Sequence, residues 1–228
     1  MRVDIYDDNI GCVELIDFMG DDQRAVASAR VSLAKDTETL DRDMNERDLK
    51  LMRFLIREYH TSPFEHSTAT MRIVCPLFCR SQIMRHRTFS FNEVSRRYTS
   101  EDLRFYVPTL LRKQAQKNLQ CSTNEEVEDP SLYDLYVQNT NYALANYNKL
   151  IEGGVSREQA RMILPQSMYT TFWMTGNLLN WVKFLKLRLD EHTQHETRSV
   201  AKGVYMCLAN VFPLTMSEML KSQKGVIL

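Results

Sequence analysis

The chain has 228 residues, of which 43% are hydrophobic and 25% charged, and its formal net charge at pH 7 is zero. This is the composition of a globular protein long enough to bury a core, without the broad positive field that non-specific nucleic-acid binding requires. No apolar run reaches the roughly 18 residues that span a bilayer, the N-terminal residues are too polar for a secretory signal, and the 5 cysteines form no CxxC pair. We therefore expect a cytoplasmic protein with reduced thiols, no membrane association and no nucleic-acid partner.

The periodicity of apolar residues predicts both strands and helices. In chain order, the predicted elements are strands over 2–6 and 11–18, a helix over roughly 22–34, a helix from Asn45 to about His60, a strand over 67–75, a short helix from Pro76 to about Met84, helices over 131–152 and 156–163, a strand over 168–175, a helix after Asn177, and a mainly helical remainder over 197–222. No internal repeat, low-complexity tract or linker interrupts them, so we expect one α/β domain over 1–228.

Capping side chains define several boundaries. Asp21 precedes the first helix, and Asn45 with Asp48 behind it resembles a cap for the second. Pro63 is expected to end that second helix near His60, because a proline disfavours helix in the residue before it.

Two later stretches carry specific expectations. The helix capped by Asn177, if it continues far enough, would place Arg188, His192 and His195 on one polar face. The stretch 107–130 is poor in apolar residues and ends in an acidic run, which predicts a mobile surface loop without catalytic content.

Residues 85–98 concentrate polar side chains: four arginines, a histidine, serines, an asparagine and a glutamate, with no lysine. Arginine grips phosphate or carboxylate by two parallel hydrogen bonds, and serine and asparagine add directional donors and acceptors. The short helix before this stretch would place Gln82 and Arg85 on one face. The composition indicates a site for a rigid anionic ligand, with a surface loop held by salt bridges as the alternative.

Two clusters of histidines and acids raise the possibility of a metal site. In the first, His60, Glu65 and His66 lack a convincing third ligand nearby, so caps and turn hydrogen bonds are the favoured interpretation. In the second, His192 and His195 precede Glu196, and a polar helix face is favoured. We predict no bound metal.

The common nucleotide-binding loops are absent. The 7 glycines form neither a GxxxxGK[ST] nor a GxGxxG pattern, so any phosphate must be held mainly by side chains. No GxSxG elbow is present either, which leaves Ser90 or Ser95 with His86 and Glu93 as a weak hydrolase triad.

The polar stretch resembles, at every fixed position, the signature of the flavin-dependent thymidylate synthases, in the form Arg85-His86-Arg87-x-x-Ser90-x-Asn92-Glu93-x-Ser95-x-Arg97-Tyr98. Other segments agree with the family in the same order: His-x-Ser-Pro-Phe-Glu-His at 60–66, Gln82, Arg161 to Tyr169, and Leu187-Arg188-Leu-Asp190-x-His192-x-Gln194. The resemblance spans nearly the whole chain and is weakest in 107–130.

The resemblance implies a fold and a reaction. The fold is of the α/β (α+β) class, with a central, mostly antiparallel sheet flanked by helices. The reaction is the formation of dTMP from dUMP, with methylenetetrahydrofolate as carbon donor and reducing equivalents from NADPH through FAD. The resemblance also implies a homotetramer in which several subunits build each flavin site.

The resemblance also implies roles for the matched positions. Positions that hold FAD match Ser62, Arg85, His86, Arg87, Glu93, Asn177, Leu178 and Leu179, with His60 in the same set. Positions that bind dUMP match Gln82, Arg85, Glu93, Val94, Ser95, Arg96, Arg97, Arg161 and Arg188. Arg188 also matches the residue thought to favour ionisation at N3 of the uracil, so we expect it to be catalytic.

Cys75 and Cys79 lie in apolar segments without an activating partner, and we assign them to packing. This agrees with a family that does not depend on an enzyme thiolate. Ser62 stands where threonine is common, which preserves the hydroxyl. Two hypotheses stay open: a flavin- or nucleotide-binding protein without turnover, and a metal-dependent nucleotide hydrolase.

Overall fold

A computed structural model of the protein describes residues 1–32 and 43–221. The strands are β1 (Arg2–Asp4), β2 (Cys12–Met19), β3 (Thr68–Pro76), β4 (Ser90–Glu93), β5 (Arg112–Gln114), β6 (Ser122–Glu126) and β7 (Tyr169–Asn177). The helices are α1 (Asp22–Val31), α2 (Glu46–Arg57), α3 (Leu77–Ile83), α4 (Pro130–Glu152), α5 (Arg157–Ala160), α6 (Leu178–Arg188), α7 (His195–Val211) and α8 (Pro213–Lys221). In this part of the chain no helix is long and apolar enough to cross a membrane.

Five strands form the central sheet in the order β1-β2-β3-β7-β4. β1 and β2 pair antiparallel, with Val3 opposite Val13. The mixed fold, with a mostly antiparallel central sheet flanked by helices, confirms the predicted class. The predicted strands and helices are found with boundaries shifted by a few residues, while positions 33, 34 and 222 lie outside the described residues.

The described chain divides into two compact units, each built from separate segments. The first contains Met1–Ile73, His86–Asn92 and Phe172–Leu228, and the second contains Val74–Arg85 and Glu93–Thr171. The single-domain organisation therefore stays a prediction.

Aromatic side chains form much of the core of the first unit. Trp181 is fully buried, lies 4.6 Å from the Phe89 ring between centroids, and donates its indole N–H to the Ala69 carbonyl at 3.1 Å. The hydrogen bond satisfies the one polar group that the indole would otherwise bury unpaired. Gly176 faces Phe89, where an added Cβ would lie only 2.4 Å from the ring. The β7 backbone therefore lies against the Phe89 ring at Gly176, where only glycine leaves enough space.

The core of the second unit is a smaller cluster. Tyr147 from α4 packs with Ala160, Leu164 and Met168, all buried. α4 ends at Glu152 as predicted, with Gly153 as its C-cap, and Gly154 follows with φ of +84°, a left-handed conformation that glycine adopts without strain.

The start of α2 confirms the predicted cap, whereas its end corrects the prediction. The Asn45 side chain accepts hydrogen bonds from the backbone N–H groups of Arg47 and Asp48, and the Asp48 carboxylate accepts from Asn45 N–H. α2 ends at Arg57, three residues before His60. There Tyr59 adopts φ of 58° and the His60 N–H bonds back to the Leu55 carbonyl at 2.9 Å, so a left-handed turn, and not Pro63, ends the helix.

Replacing Asn45 by alanine is expected to lower the free energy of unfolding by about 1 kcal/mol, because two backbone N–H groups of α2 lose their acceptor. Chemical denaturation measures the change. Asn146→Ala, on the exposed side of α4, is the matched control, and it should change stability by no more than about 0.5 kcal/mol. Equal stabilities for the two variants would contradict the capping role.

Two further expectations are corrected by the structure. The stretch 107–130 is not a plain loop, because β5 and β6 form a two-stranded antiparallel sheet there. Polar cross-strand contacts accompany the pairing, such as Lys113 Nζ to Glu125 Oε2 at 3.3 Å. The predicted helix over 156–163 is α5 followed by a 3-10 turn over Arg161–Ile163. β5 and β6 lack alternating apolar residues, so the sequence gives no clear signal for their pairing. The change from an α-helix to a 3-10 turn after α5 has no strong local sequence signal either.

Candidate active site

The second unit contains a pocket of about 390 Å³ lined by residues from the polar stretch. Five predicted substrate residues contribute to it: Glu93, Val94, Ser95, Arg96 and Arg161. Arg80 and Thr170, which the sequence did not single out, also line it.

Glu93, at the end of β4, is held on both carboxylate oxygens. Arg80, from α3, donates through Nε to Glu93 Oε2 at 2.9 Å and makes a second, shorter contact through its terminal nitrogen. Thr170, from β7, donates its hydroxyl to Glu93 Oε1 at 2.8 Å. Three donors therefore fix the orientation of one carboxylate in the pocket wall.

Arg96 is tied to its own loop. Its terminal nitrogens donate to the backbone carbonyls of Glu101 and Asp102, while its Nε is buried without a hydrogen-bond partner in the described chain. Burial lowers the pKa of Arg96, with the charge of Asp102 opposing this effect. A buried guanidinium N–H without an acceptor fits an anionic ligand, because leaving such a donor unpaired costs free energy.

The neighbours of Arg96 are held by short-range contacts. Ser95 Oγ accepts a hydrogen bond from the Arg97 backbone N–H at 3.3 Å. The Arg97 side chain is exposed and lies 3.8 Å from Glu158 Oε2. Arg161 is also exposed, and the described residues offer its side chain no ion pair or hydrogen bond. These side chains place a hydroxyl and two exposed cations at or near the pocket.

Gln82 and Arg85 do not share a helix face as expected. α3 ends at Ile83, and Arg85 lies beyond it, with its backbone N–H directed to the Gln82 carbonyl at 3.4 Å. The Arg85 side chain is exposed. Because α3 ends two residues before Arg85, the spacing of three no longer determines where the two side chains point.

In the first unit, His86 and Arg188 are in direct contact. Arg188 Nε donates to His86 Nε2 at 3.1 Å. Burial, followed by the positive charge of Arg188, lowers the pKa of His86 to about 4. The imidazole is therefore neutral at pH 7, and because Nε2 accepts, its proton lies on Nδ1.

Aromatic rings surround this pair. The Phe184 ring lies 5.0 Å from the His86 ring between centroids, and Phe89 lies 6.5 Å away, both in edge-to-face arrangements. Such packing fixes the imidazole plane and keeps the site partly dry. Burial also lowers the pKa of Arg188, although a guanidinium still stays charged at neutral pH.

The remaining predicted flavin residues in the first unit have local structural contacts. Asn177 caps α6 through Oδ1, which accepts from Asn180 N–H at 2.9 Å, as predicted. The side chains of Leu178 and Leu179 are 0% and 5% exposed, so they belong to the core. Ser62 begins the 3-10 turn Ser62–Glu65, and the His60 ring lies 5.8 Å from Phe54.

The donor chemistry of the first unit fits an anionic cofactor such as FAD. Arg87 is exposed and makes no ion pair or side-chain hydrogen bond with the part of the chain that the structure describes. A free guanidinium beside a neutral imidazole suits a diphosphate or the electron-rich edge of an isoalloxazine ring. The flavin roles assigned to these residues stay predictions.

The histidines near the C-terminal helices are separated and do not share one face. α6 ends at Arg188, so His192 lies in the following turn and His195 begins α7. Within residues 1–32 and 43–221, no three His, Cys, Asp or Glu side chains come together in a way that could hold a metal ion. The helix ends earlier than expected because the chain turns there, with the Thr193 N–H bonded to the Asp190 carbonyl at 3.0 Å.

Comparison with known proteins identifies the family. The family model described as "Thymidylate synthase complementing protein" matches residues 14–214. The flavin-dependent thymidylate synthase of Thermosipho africanus is 37% identical over 222 residues, covering 96% of this chain and 95% of that protein. This chain belongs to the flavin-dependent thymidylate synthases.

A second member of the family and a solved structure support this assignment. The flavin-dependent thymidylate synthase of Thermus thermophilus is 40% identical over 205 residues, which cover 90% of this chain and 73% of that protein. The crystal structure of a UMP/dUMP methylase, PolB from Streptomyces cacaoi bound with 5-Br dUMP, has a TM-score of 0.81 and 32% identity over 90% of this chain and 93% of that one. The similarity therefore extends beyond residues 85–98 of this flavin-dependent thymidylate synthase to 90% of its chain.

Two pocket residues of this flavin-dependent thymidylate synthase were missed from sequence. Arg80 lies five positions before the signature begins, and Thr170 lies in a distant strand. Their relation to Glu93 arises when β7 and α3 are brought beside the end of β4, and local spacing carries no signal for that. The contact of Thr170 with Glu93, in particular, depends on the strand order of the sheet, which places β7 next to β4.

Proposed function

We propose that this protein catalyses the reductive methylation of dUMP to dTMP, with methylenetetrahydrofolate as the carbon donor and NADPH-reduced FAD as the hydride source. The observation that carries the proposal is the complete signature at 85–98 in a chain that belongs to this family. The UMP/dUMP methylase with a similar fold, bound with 5-Br dUMP, supports a uridine monophosphate as the substrate.

The pocket of the second unit is the proposed nucleotide site. Arg96, Arg97 and Arg161 supply guanidinium groups for the monophosphate, and the Ser95 hydroxyl adds a directional donor. Glu93 offers a fixed acceptor for a hydroxyl or N–H of the nucleoside. Each charge-assisted hydrogen bond contributes about 1.5–3 kcal/mol, so a few of them are sufficient for micromolar binding.

Residues of the first unit are proposed to bind the flavin. Ser62, His86 and Arg87 present a hydroxyl, a neutral imidazole and a free guanidinium, and the start of α6 at Asn177 adds backbone N–H groups. Arg85 is also proposed, on the ground of its position in the signature alone. When bound, FAD supplies the hydride after reduction by NADPH.

Arg188 is the proposed catalytic residue. By its match to the family's motif, Arg188 is proposed to stabilise the negative charge that develops at N3 of the uracil, which makes C5 more nucleophilic. His86 fixes the Arg188 guanidinium and remains neutral, so it does not compete for that negative charge. Ser95 has no base placed beside it, and we assign it to substrate binding.

Two buried cysteines, Cys75 and Cys79, are excluded from the proposed mechanism. Cys75 and Cys79 are fully buried, and burial raises the pKa of Cys75 well above its usual value. A buried thiol with a raised pKa is a poor nucleophile. This agrees with a reaction that needs no enzyme thiolate.

The test is formation of dTMP by purified, flavin-loaded protein from dUMP, methylenetetrahydrofolate and NADPH. We expect product, and we expect the visible absorption of the oxidised flavin to bleach on anaerobic addition of NADPH. Bleaching and dUMP binding without product would instead indicate a binding protein without turnover. A protein that takes up no flavin would overturn the proposal.

We also propose a homotetramer that acts in the cytoplasm. Support comes from the family to which the chain belongs and from the wide separation of the signature segments along the sequence. Light scattering of the purified protein measures the number of subunits, and a monomer that turns over dUMP would refute the tetramer.

A further inference from the structure

Arg80 lines the pocket and has no role so far, and two of its nitrogens contact the Glu93 carboxylate. Both Nε and a terminal nitrogen of Arg80 reach the same Glu93 oxygen, and Thr170 occupies the other oxygen. Thr170 is 3% exposed, so its hydroxyl is fixed by the surrounding core. The Glu93 carboxylate thus has one rigid donor on one oxygen and a charged fork on the other.

We infer that Arg80 is a positioning residue for nucleotide binding, which acts by holding the Glu93 carboxylate as a fixed hydrogen-bond acceptor in the pocket. The inference rests on the proposed function, because it takes dUMP as the ligand of this pocket. It adds a residue that lies outside the signature and has no counterpart among the predicted binding residues.

The contact with Glu93 favours this role over direct phosphate binding. Two of the five guanidinium N–H donors of Arg80 are directed at that carboxylate, whose negative charge offsets the attraction of Arg80 for a second anion. The Glu93 side chain is also less exposed than that of Arg80, at 18% against 34%. Without Arg80, only the Thr170 hydroxyl would hold the Glu93 carboxylate, so the direction in which it accepts from the nucleoside would be less fixed.

The consequence is an effect on binding and not on the chemical step. The hydrogen bond that Glu93 accepts is the same before and during the reaction, so weakening it raises KM for dUMP and leaves kcat nearly unchanged. We expect Arg80→Ala to weaken dUMP binding by about three- to tenfold, the range for one hydrogen bond. Arg80→Lys keeps a cation beside Glu93 and should recover part of the loss.

A double-mutant cycle tests the inference on flavin-loaded protein, with the Kd of dUMP measured by calorimetry. In the Glu93→Gln background, adding Arg80→Ala should change Kd by less than about twofold, because the group that Arg80 holds is already gone. An equal loss in both backgrounds would show that Arg80 contacts the nucleotide itself and would overturn the inference. An unchanged Kd in Arg80→Ala would do the same.

Arg72→Ala is the matched control. Arg72 pairs with Glu14 at 3.2 Å and has a side chain 35% exposed, close to that of Arg80, but it does not line the pocket. Its Kd for dUMP should equal that of the wild type. If Arg80→Ala does not fold, Arg80→Gln, which keeps the aliphatic part of the side chain, replaces it in the same double-mutant cycle. Wild-type protein that forms no dTMP would refute the proposed function, whereas active wild type with an unaffected Arg80→Ala variant would refute this inference alone.

Discussion

Arg188→Ala is expected to lower kcat by about 10²–10³-fold, the usual cost of removing one preorganised group that stabilises developing charge. Flavin is expected to stay bound, since Arg188 is not among the residues proposed to bind it. The visible spectrum measures flavin content, and the rate of dTMP formation measures turnover. Wild-type turnover in this variant would refute the catalytic role.

The contact with His86 provides a readout that is independent of activity. Burial is the larger cause of the low pKa of His86, and the charge of Arg188 is the second. Removing Arg188 leaves the first cause, so the pKa should rise from about 4 without reaching the ordinary value of 6.5. NMR titration of the histidines, with His86→Gln to assign the signal, measures the shift.

The sign of the pH effect on stability follows from the same value. Between about 4 and 6.5, unfolded His86 binds a proton that the folded protein excludes, so acid favours unfolding in this window and stability rises with pH. In Arg188→Ala the pKa of folded His86 is higher, so the pH range in which stability rises with pH begins above about 4 and is narrower. A pKa of His86 that does not move in this variant would contradict the contact seen between the two side chains.

Arg198→Ala is the control for Arg188. Arg198 is a nearby arginine that donates to the Glu191 carbonyl and has no proposed role. Turnover and the His86 titration should both match the wild type. Arg188→Lys adds a second comparison, since it keeps a cation but loses the planar fork that reaches His86.

Arg161→Ala is expected to weaken dUMP binding by about 10- to 100-fold, because one charge-assisted contact to the monophosphate is lost. Arg161 differs from Arg96, whose terminal nitrogens already bond to backbone carbonyls. Its guanidinium lies at the pocket with no ion pair to any described residue. The Kd of dUMP, measured by calorimetry at two salt concentrations, should also depend less on salt in the variant.

Arg157→Ala is the control for Arg161. Arg157 begins α5, one turn earlier, and is exposed without lining the pocket. Its removal should leave the Kd nearly unchanged, because exposed charges away from the ligand are screened. Equal losses for the two variants would mean that net charge, and not a contact of Arg161, attracts the nucleotide.

Local signals in the sequence determined many element boundaries and the family. Asn45, Asn177 and Gly153 were recognised because a cap bonds to backbone groups within four residues, so its chemistry is readable over a short window. The signature at 85–98 was recognised because its fixed residues are consecutive enough to be compared directly. Fold class and reaction followed from that comparison.

Tertiary structure alone decided the contacts between distant residues. Arg80 with Glu93 and Thr170, and His86 with Arg188, join positions that are between 13 and 102 residues apart. The pairing of β5 with β6 likewise joins residues outside the local window, such as Arg112 opposite Glu126. Hydrophobic periodicity and capping residues carry information about neighbours within one helical turn or a few strand residues. The contacts between Arg80, Glu93 and Thr170 and between His86 and Arg188 form only when the fold brings separate elements together.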